Sequence, residues 1–550
     1  MSIPITQIGR PFLPKALLGC LLVSCIVGAG AIEKAGAVEK AGAVEKAGAV
    51  EKDERSHEAG RRAIRDGEYQ KAVKVFLDLV ALNPGDVRAH LGAAMAYYKL
   101  QDYKLTFDQA TEALKLDDKN ARAHALSGIA LLRSGYLDHA IVELSLAIRL
   151  NAKEALAWGG LAEIDYYTNR TKESREKSLY AIELDSREPD YFVTFARAAS
   201  RLELFNEAAD AYERFLRVAP RTDVERRDRI RGLISFYRQL AGVHLHQLVG
   251  PRSAVIKFRI GADRRPYMDV RVNGRPATFV IDTGSGFTVI SDEAAARLGV
   301  YPMARGGTSQ GVGGNGKFPI VYGLINSVQL GEEKIESVPC FIRRFHGSSA
   351  KADDARADGF IGLSVLSNFT SAIDYKGQQL SLAREGDEAT ASIESDPSIT
   401  VIPFRTTQNG LISVETQIDD SRSVNAILDT GASSTVLSSV AVKRLEMLGS
   451  IIKGQTVQVV GAAGVTDNVE LLFLRTCKIA NLSQNNLRAL ILDFGAINET
   501  SGFEQSAILG GDFLRHFKVT IDFNRARLIL EPQTPAVTRS QPDQKVASQN

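Results

Sequence analysis

The residues best placed to do chemistry in this 550-residue chain stand in a phrase written twice. Residues 279–291 read FVIDTGSGFTVIS, and residues 426–438 read AILDTGASSTVLS. Each is an apolar run that ends in Asp-Thr-Gly, and the two carboxylates, Asp282 and Asp429, lie 147 positions apart. Folding one unit twice around a pseudo-two-fold axis would bring both to a single point. Two carboxylates at one point cannot both ionise cheaply, so they share a proton. The ionised member can take a proton from a water lying between them while the protonated member donates to a carbonyl. The expected chemistry is hydrolysis with no acyl-enzyme, and its titration belongs to the pair rather than to either residue.

The surroundings of the phrase repeat as well. A Gly-rich stretch follows about 30 residues later, GVGGNG at 311–316 and VGAAG at 460–464. Two apolar residues and a glycine come next, and these glycines, Gly362 and Gly510, follow their Asp by 80 and 81 positions. A matching strand closes each half, AIDYKGQQLSL or TIDFNRARLIL. On these residues the region 251–532 resembles two fused retropepsin-like aspartic peptidase units. The segments DGFIGL and AILGGDFLRHF also resemble their counterparts in pepsin-like enzymes.

The resemblance implies two β-rich lobes with a cleft between them. It implies Asp282 and Asp429 as the catalytic pair, and Thr283 and Thr430 as hydroxyls linking the two active loops. Gly284, Ser285, Gly431 and Ala432 would support those loops. Gly311, Gly313, Gly314, Gly461 and Gly464 would lie in flaps that close on an extended peptide, and Gly362 and Gly510 would be structural glycines. No cofactor and no metal are implied. Taken alone, GVGGNG also fits the dinucleotide pattern G-x-G-x-x-G, but KFPIV follows it where that site needs a helix, which excludes the reading. Asp374 and Asp522 occupy matching places as strand residues and are expected to bond a turn.

Upstream, a period of 34 runs from 54 to 222. It links Tyr69, Tyr103, Leu137, Thr171 and Phe205, and likewise Leu82, Leu116, Leu150, Leu184 and Val218. Small residues recur at Gly60, Ala94, Gly128, Ala162 and Ala196, and again at Ala72, Thr106, Ala140, Ser174 and Ala208. This resembles the tetratricopeptide repeat, whose small positions let paired helices approach and whose large positions fill the gap between pairs. The resemblance implies a solenoid whose concave face is open to a peptide or protein partner, with a scaffold or spacer as the bland reading. Residues 223–247 alternate charged and apolar groups at helical spacing and are expected to cap the array.

The expected architecture is an all-α tetratricopeptide solenoid followed by an all-β bilobal aspartic-peptidase domain. Its segments are a signal peptide at 1–31, an EKAGAV-repeat spacer at 32–53 and repeats at 54–222. A capping helix and linker at 223–250, lobe 1 at 251–384, an acidic interlobe linker at 385–398, lobe 2 at 399–532 and a disordered tail at 533–550 complete the chain. Arg10 and Lys15 before an apolar run from Ala16 to Ala31 read as an export signal, giving a periplasmic or secreted protein. Three outcomes are open for that signal: cleavage after Ala31, lipidation at Cys25, or retention as an anchor. Cys340 and Cys477 fall at different offsets from their Asp-Thr-Gly, so the internal symmetry does not pair them. A net charge of +2 without a basic block excludes a nucleic-acid partner. Two functions meet these expectations: an exported aspartic endopeptidase acting on peptides or proteins, or a non-catalytic peptide-binding or scaffolding protein with peptidase-like lobes.

Overall fold

A computed structural model describes residues 53–345, 357–384, 399–419, 423–533 and 538–539. The signal peptide with Cys25, the spacer up to residue 52, the interlobe linker and most of the tail lie outside the described residues. Of the unit Met1–Glu58 only residues 53–58 are described, as helix, and the account below concerns the unit Ala59–Asn550.

The 34-residue period marks helix boundaries. Tyr69, Tyr103, Leu137, Thr171 and Phe205 are the first residues of five 14-residue helices, and Leu82, Leu116, Leu150, Leu184 and Val218 are the last. Between them lie the partner helices Val87–Lys99, Ala121–Arg133, Ala155–Tyr167 and Pro189–Arg201. Side chains of Asp86, Asp102 and Asn120 cap helix starts by accepting from the backbone N–H of Ala89, Leu105 and Ala123. Each turn inside a helix pair closes on a residue in the left-handed region: Gly67, Gln101, Gly135, Asn169 and Glu203, again 34 apart. The small positions Ala72, Thr106, Ala140, Ser174 and Ala208 have no exposed surface. A methyl on Gly128 would fall 2.7 Å from Leu144, so the helices touch where the side chain is smallest.

One expectation about the array needs correction. Leu82, Leu116 and Leu150 do not fill gaps between helix pairs; they are exposed at helix ends, Leu82 by 83%. The array also meets the second β lobe at helix ends. Arg133, the last residue of its helix, donates to Glu163 and to the backbone oxygen of Gly502, Tyr167 packs on Phe503, and Glu504 N donates to Arg133 O.

The helix Val224–Leu240 caps the last repeat, with Tyr237 against Phe205 and Tyr212, and it also packs on the first lobe. Phe236 stacks on Tyr322 of the first lobe with ring centroids 4.7 Å apart, and Gln239 donates to Met303 O. Gly232 meets the backbone of Gly306 so closely that a methyl would fall 2.9 Å from its oxygen. The first lobe also begins earlier than 251, because Gln247–Val249 pairs antiparallel with Lys334–Glu336.

Among the described residues each lobe holds a nine-stranded sheet, and a six-stranded sheet joins them. In lobe 1 the Asn273-Gly274 turn, both residues at positive φ, connects Pro266–Val272 to Arg275–Ile281 as a hairpin. The joining sheet takes Ser253–Lys257, Thr370–Asp374 and Gln379–Ala383 from lobe 1, and Thr400–Pro403, Phe517–Asp522 and Arg527–Pro532 from lobe 2. Its central pair runs antiparallel, with Thr370 opposite Asp522 and Asp374 opposite Lys518. One hydrophobic core, from Ile256 to Leu530, runs through both lobes. Asp374 and Asp522 bond turns, accepting from Gly377 N and Arg525 N. In the tail, Thr538–Arg539 pairs with Leu482–Ser483, so these two residues are strand rather than disordered chain. Cys340 and Cys477 are buried free thiols, and burial pushes both up from the usual thiol range.

Candidate active site

Each Asp-Thr-Gly loop is held where a strand is pinned between neighbours. Phe279–Ile281 runs parallel to Gly359–Ile361, and Ala426–Leu428 runs parallel to Ala507–Leu509. The ladders continue one step further: Asp282 N donates to Ile361 O and Asp429 N to Leu509 O, each at 3.0 Å. Gly362 and Gly510 sit against the opposite walls of these loops. A methyl on Gly362 would meet Phe287 O at 2.2 Å, and one on Gly510 would meet Ser434 O at 2.5 Å.

Threonines lock the loops to each other. Thr283 N donates to Thr430 Oγ1 (3.1 Å) and Thr430 N to Thr283 Oγ1 (3.0 Å). The two hydroxyls donate onward to the main chain of the opposite lobe, Thr283 to Leu428 O and Thr430 to Ile281 O, both at 2.8 Å. All four bonds are buried, so neither loop can shift without exposing polar groups that have no other partner.

This lock seats Asp429 against Gly284 and Asp282 against Gly431, close enough for the charge of Asp429 to act on Asp282. Asp282 Oδ1 accepts from Gly284 N at 2.9 Å, and Asp429 Oδ1 accepts from Gly431 N at 2.8 Å and Ala432 N at 3.0 Å. Asp429 thus has two backbone donors where Asp282 has one. Ser285 instead turns its hydroxyl to Phe287 O. Burial, then the neighbouring Asp429 charge, holds Asp282 well above the usual carboxylate range. Burial also raises Asp429, but the hydrogen bond from Asp282 and the two N–H donors oppose the rise. The pair shares one proton, and the second backbone N–H donor favours the negative charge on Asp429.

The Gly-rich stretches form hairpin tips that meet each other. Gly311 N donates to Gly316 O within the first tip, and Ala463 N of the second donates to Val312 O of the first. Gly313 and Gly314 lie against Gly464 and Ala463, and Gly461 lies against Val312, so closely that a side chain at any of the three would strike backbone. The stretch 311–316 is thus a hairpin tip and not a phosphate loop. The first hairpin is tied down by Lys317, which bonds Glu225 of the helical array and reaches Glu499 of lobe 2.

An aspartyl protease family model matches the chain twice, over residues 268–365 and 414–513. Each match contains one Asp-Thr-Gly loop and one of the glycines Gly362 and Gly510. The lobes are similar to the crystal structure of an aspartic proteinase from Irpex lacteus, at 15% identity over 51% of this chain and 98% of that one, with a TM-score of 0.33. The helical array is similar to a thermophilic TPR protein of Thermus thermophilus, at 18% identity over 34% of this chain and all of that one, with a TM-score of 0.29. A stretch of 95 residues is 30% identical to the translocon at the outer membrane of chloroplasts 64 of Pisum sativum. That stretch is 17% of this chain, which spans 16% of the length of this curated relative.

Three further residues stand at the site, of which only Asp512 lies in a segment that the motifs cover. Arg265, held by Asp263 and Tyr267, places a charge that lowers both carboxylates of the pair. Arg343 extends over the cleft and donates to Ala462 O at the second flap tip. Asp512, buried and raised by that burial, accepts from Thr435 Oγ1 at 2.7 Å beside the second active loop. Its place directly after Gly510-Gly511 was a signal that could have found it. At the equivalent place in lobe 1, Ser364 Oγ accepts from Thr288 N.

Proposed function

We propose that this chain is an exported aspartic endopeptidase in which Asp282 and Asp429 activate one water between them. The supporting observation is that loops locked by the Thr283–Thr430 exchange seat each carboxylate on the other loop's glycine, Asp429 on Gly284 and Asp282 on Gly431. In this reading Asp429 is the base that takes a proton from the water. Asp282 donates its proton to the scissile carbonyl, and a tetrahedral diol forms and collapses to acid and amine. The paired flap tips would close on an extended peptide held by its main chain, keeping bulk water from the diol.

Export rests on the basic residues and apolar run before Ala31. The helical array serves first as a brace, since it grips the first flap hairpin and the 502–504 loop of lobe 2. A protein partner would use the faces of the array left uncovered.

The test is cleavage of a diverse peptide library from pH 3 to 8 by the wild type and by Asp282→Asn and Asp429→Asn. Activity that both variants lose and that a statine-type peptide blocks is the expected result. A folded wild type that cleaves nothing at any pH would overturn it in favour of the peptide-binding reading.

A further inference from the structure

The lobes are built alike, but the cleft they enclose is not symmetric. In lobe 1, Ser291 lies opposite Arg343 where Thr288–Ser291 pairs in parallel with the strand Glu333–Arg343. In lobe 2 the same register puts Ser438 opposite Leu492. Arg343 and Leu492 therefore hold equivalent positions across the pseudo-two-fold axis, one cationic and one apolar. Leu492 belongs to an apolar cluster with Phe494 and Ile508, against which Val312 of the first flap packs.

The surroundings of Arg343 are equally apolar, which is costly for a cation. Its guanidinium lies 5.2 Å from the ring centre of Phe318, 4.9 Å from Phe345 and 6.0 Å from Phe360. Nη1 donates to Ala462 O at 2.9 Å, and the charge interacts with Asp282. Several enclosed arginines of the molecule meet a carboxylate: Arg133 meets Glu163, Arg226 meets Asp190, Arg265 meets Asp263 and Arg384 meets Glu333. Arg343 forms no ion pair among the described residues, and its Nε is buried without a hydrogen-bond partner. Burial pushes it below its usual range. A guanidinium enclosed by rings, with free donors, is suited to a planar carboxylate.

We propose that Arg343 is the specificity-determining residue of the cleft. It receives a glutamate or aspartate side chain of the substrate on the lobe 1 side of the scissile bond, and the Leu492 side receives an apolar one. This inference rests on the peptidase reading of the site. Arg343 touches the substrate side chain and not the reacting atoms, so it governs which peptide binds and turns over, not how the bond is broken.

The test uses the full chain and peptides with amidated ends, made in pairs that differ only as Glu or Gln at each position around the cleaved bond. At one position the wild type should favour Glu by roughly 10- to 100-fold in kcat/KM, the range expected when a buried charge-assisted hydrogen bond is made or left unmade. Arg343→Gln should lose that preference, read as the Glu-to-Gln ratio of kcat/KM within the variant, and Arg343→Leu should come to favour an apolar residue there. Arg343→Lys should keep part of the preference, which separates recognition of charge from loss of fold. Binding of a statine-type peptide pair, Glu against Gln, to the wild type and Arg343→Gln reads the same contrast without turnover. Equal cleavage and binding of Glu and Gln peptides, or a preference that survives in Arg343→Gln, would each overturn the proposal and leave the peptidase reading intact. Peptides that bind with the Glu preference but are never cleaved would overturn the peptidase reading and leave the role of Arg343 standing.

Discussion

A side chain on Gly284 would stand 2.2 Å from the carboxyl carbon of Asp429, and one on Gly431 would stand 2.5 Å from Asp282 Oδ1. Each lobe's glycine is the floor on which the other lobe's carboxylate rests. Gly284→Ala should therefore force the two carboxylates apart while leaving the lobe cores untouched. A displacement of about 1 Å at reacting groups costs on the order of 100-fold in rate. Peptide turnover should fall by at least that much, with circular dichroism and the melting transition nearly unchanged. Turnover within a few-fold of wild type would mean that the pair is not the reacting centre.

The pair also sets a direction for pH dependence. Asp282 is held well above the usual carboxylate range by burial and by Asp429, so the folded protein binds a proton there that the unfolded chain has released. That contribution to stability is present in acid and is lost as pH rises through the folded-state value. Asp282→Asn removes the group that must ionise, so the variant should gain stability over the wild type at neutral pH and lose the advantage in acid. Melting temperatures from pH 4 to 8 measure this. The alkaline limb of kcat/KM should likewise lie above the range of an ordinary carboxylate, since the singly protonated pair persists there.

The threonine exchange predicts a split between two substitutions. Thr430→Ala leaves Thr283 N without its acceptor and Ile281 O without its donor, both in buried bonds. A loss of roughly 1–3 kcal/mol is expected for each buried group so stranded. Thr430→Ser keeps the oxygen and should lose little stability. Chemical denaturation of both variants reads the contrast, and equal losses would point to the methyl group rather than the hydroxyl.

Much of this was written locally, and the exceptions share a cause. Helix starts in the array, the Asn273-Gly274 hairpin and the paired Asp-Thr-Gly loops all depend on residues close in sequence, so period and motif expose them. Arg343 sits on an ordinary strand, and nothing near it in sequence marks that three rings and a flap tip from the other lobe will enclose it. The helix Val224–Leu240 shows an amphipathic pattern that says it covers something apolar, but not that the surface is Tyr322 of the next lobe. Leu82 misled for the opposite reason: it holds a periodic place because it ends a helix, not because it packs.

That helix gives a prediction about the flap. Phe236 is almost fully buried against Tyr322, and the hairpin carrying Tyr322 ends in the tip that meets the second flap. Phe236→Ala should destabilise the junction by about 3–5 kcal/mol, the usual range for an aromatic truncated in a core. Hydrogen exchange should then rise in residues 302–330 while the repeats before residue 200 stay protected. Uniform loss of protection would instead mean that the array and the lobes unfold as one.

The turns of the array allow a finer test of the same junction. Gly135 has φ of 86°, and a methyl there would fall 2.2 Å from Asn425 Nδ2 in lobe 2. Gln101 occupies the equivalent turn one repeat earlier, also left-handed, with φ of 63°. Gly135→Ala therefore meets two penalties: about 1–2 kcal/mol for a side chain in the left-handed region, and displacement of Asn425 from its bonds to the Gly135 and Glu504 oxygens. Gln101→Gly relieves the first penalty at its own turn and touches no lobe residue, so its net change should stay below about 1 kcal/mol, because the freer unfolded chain offsets the relief. Denaturation of the two variants separates local backbone strain from the contact between array and lobe. A Gly135→Ala loss no greater than the left-handed penalty alone would show that Asn425 adjusts freely and that the junction is held elsewhere, at Arg133 and Tyr167.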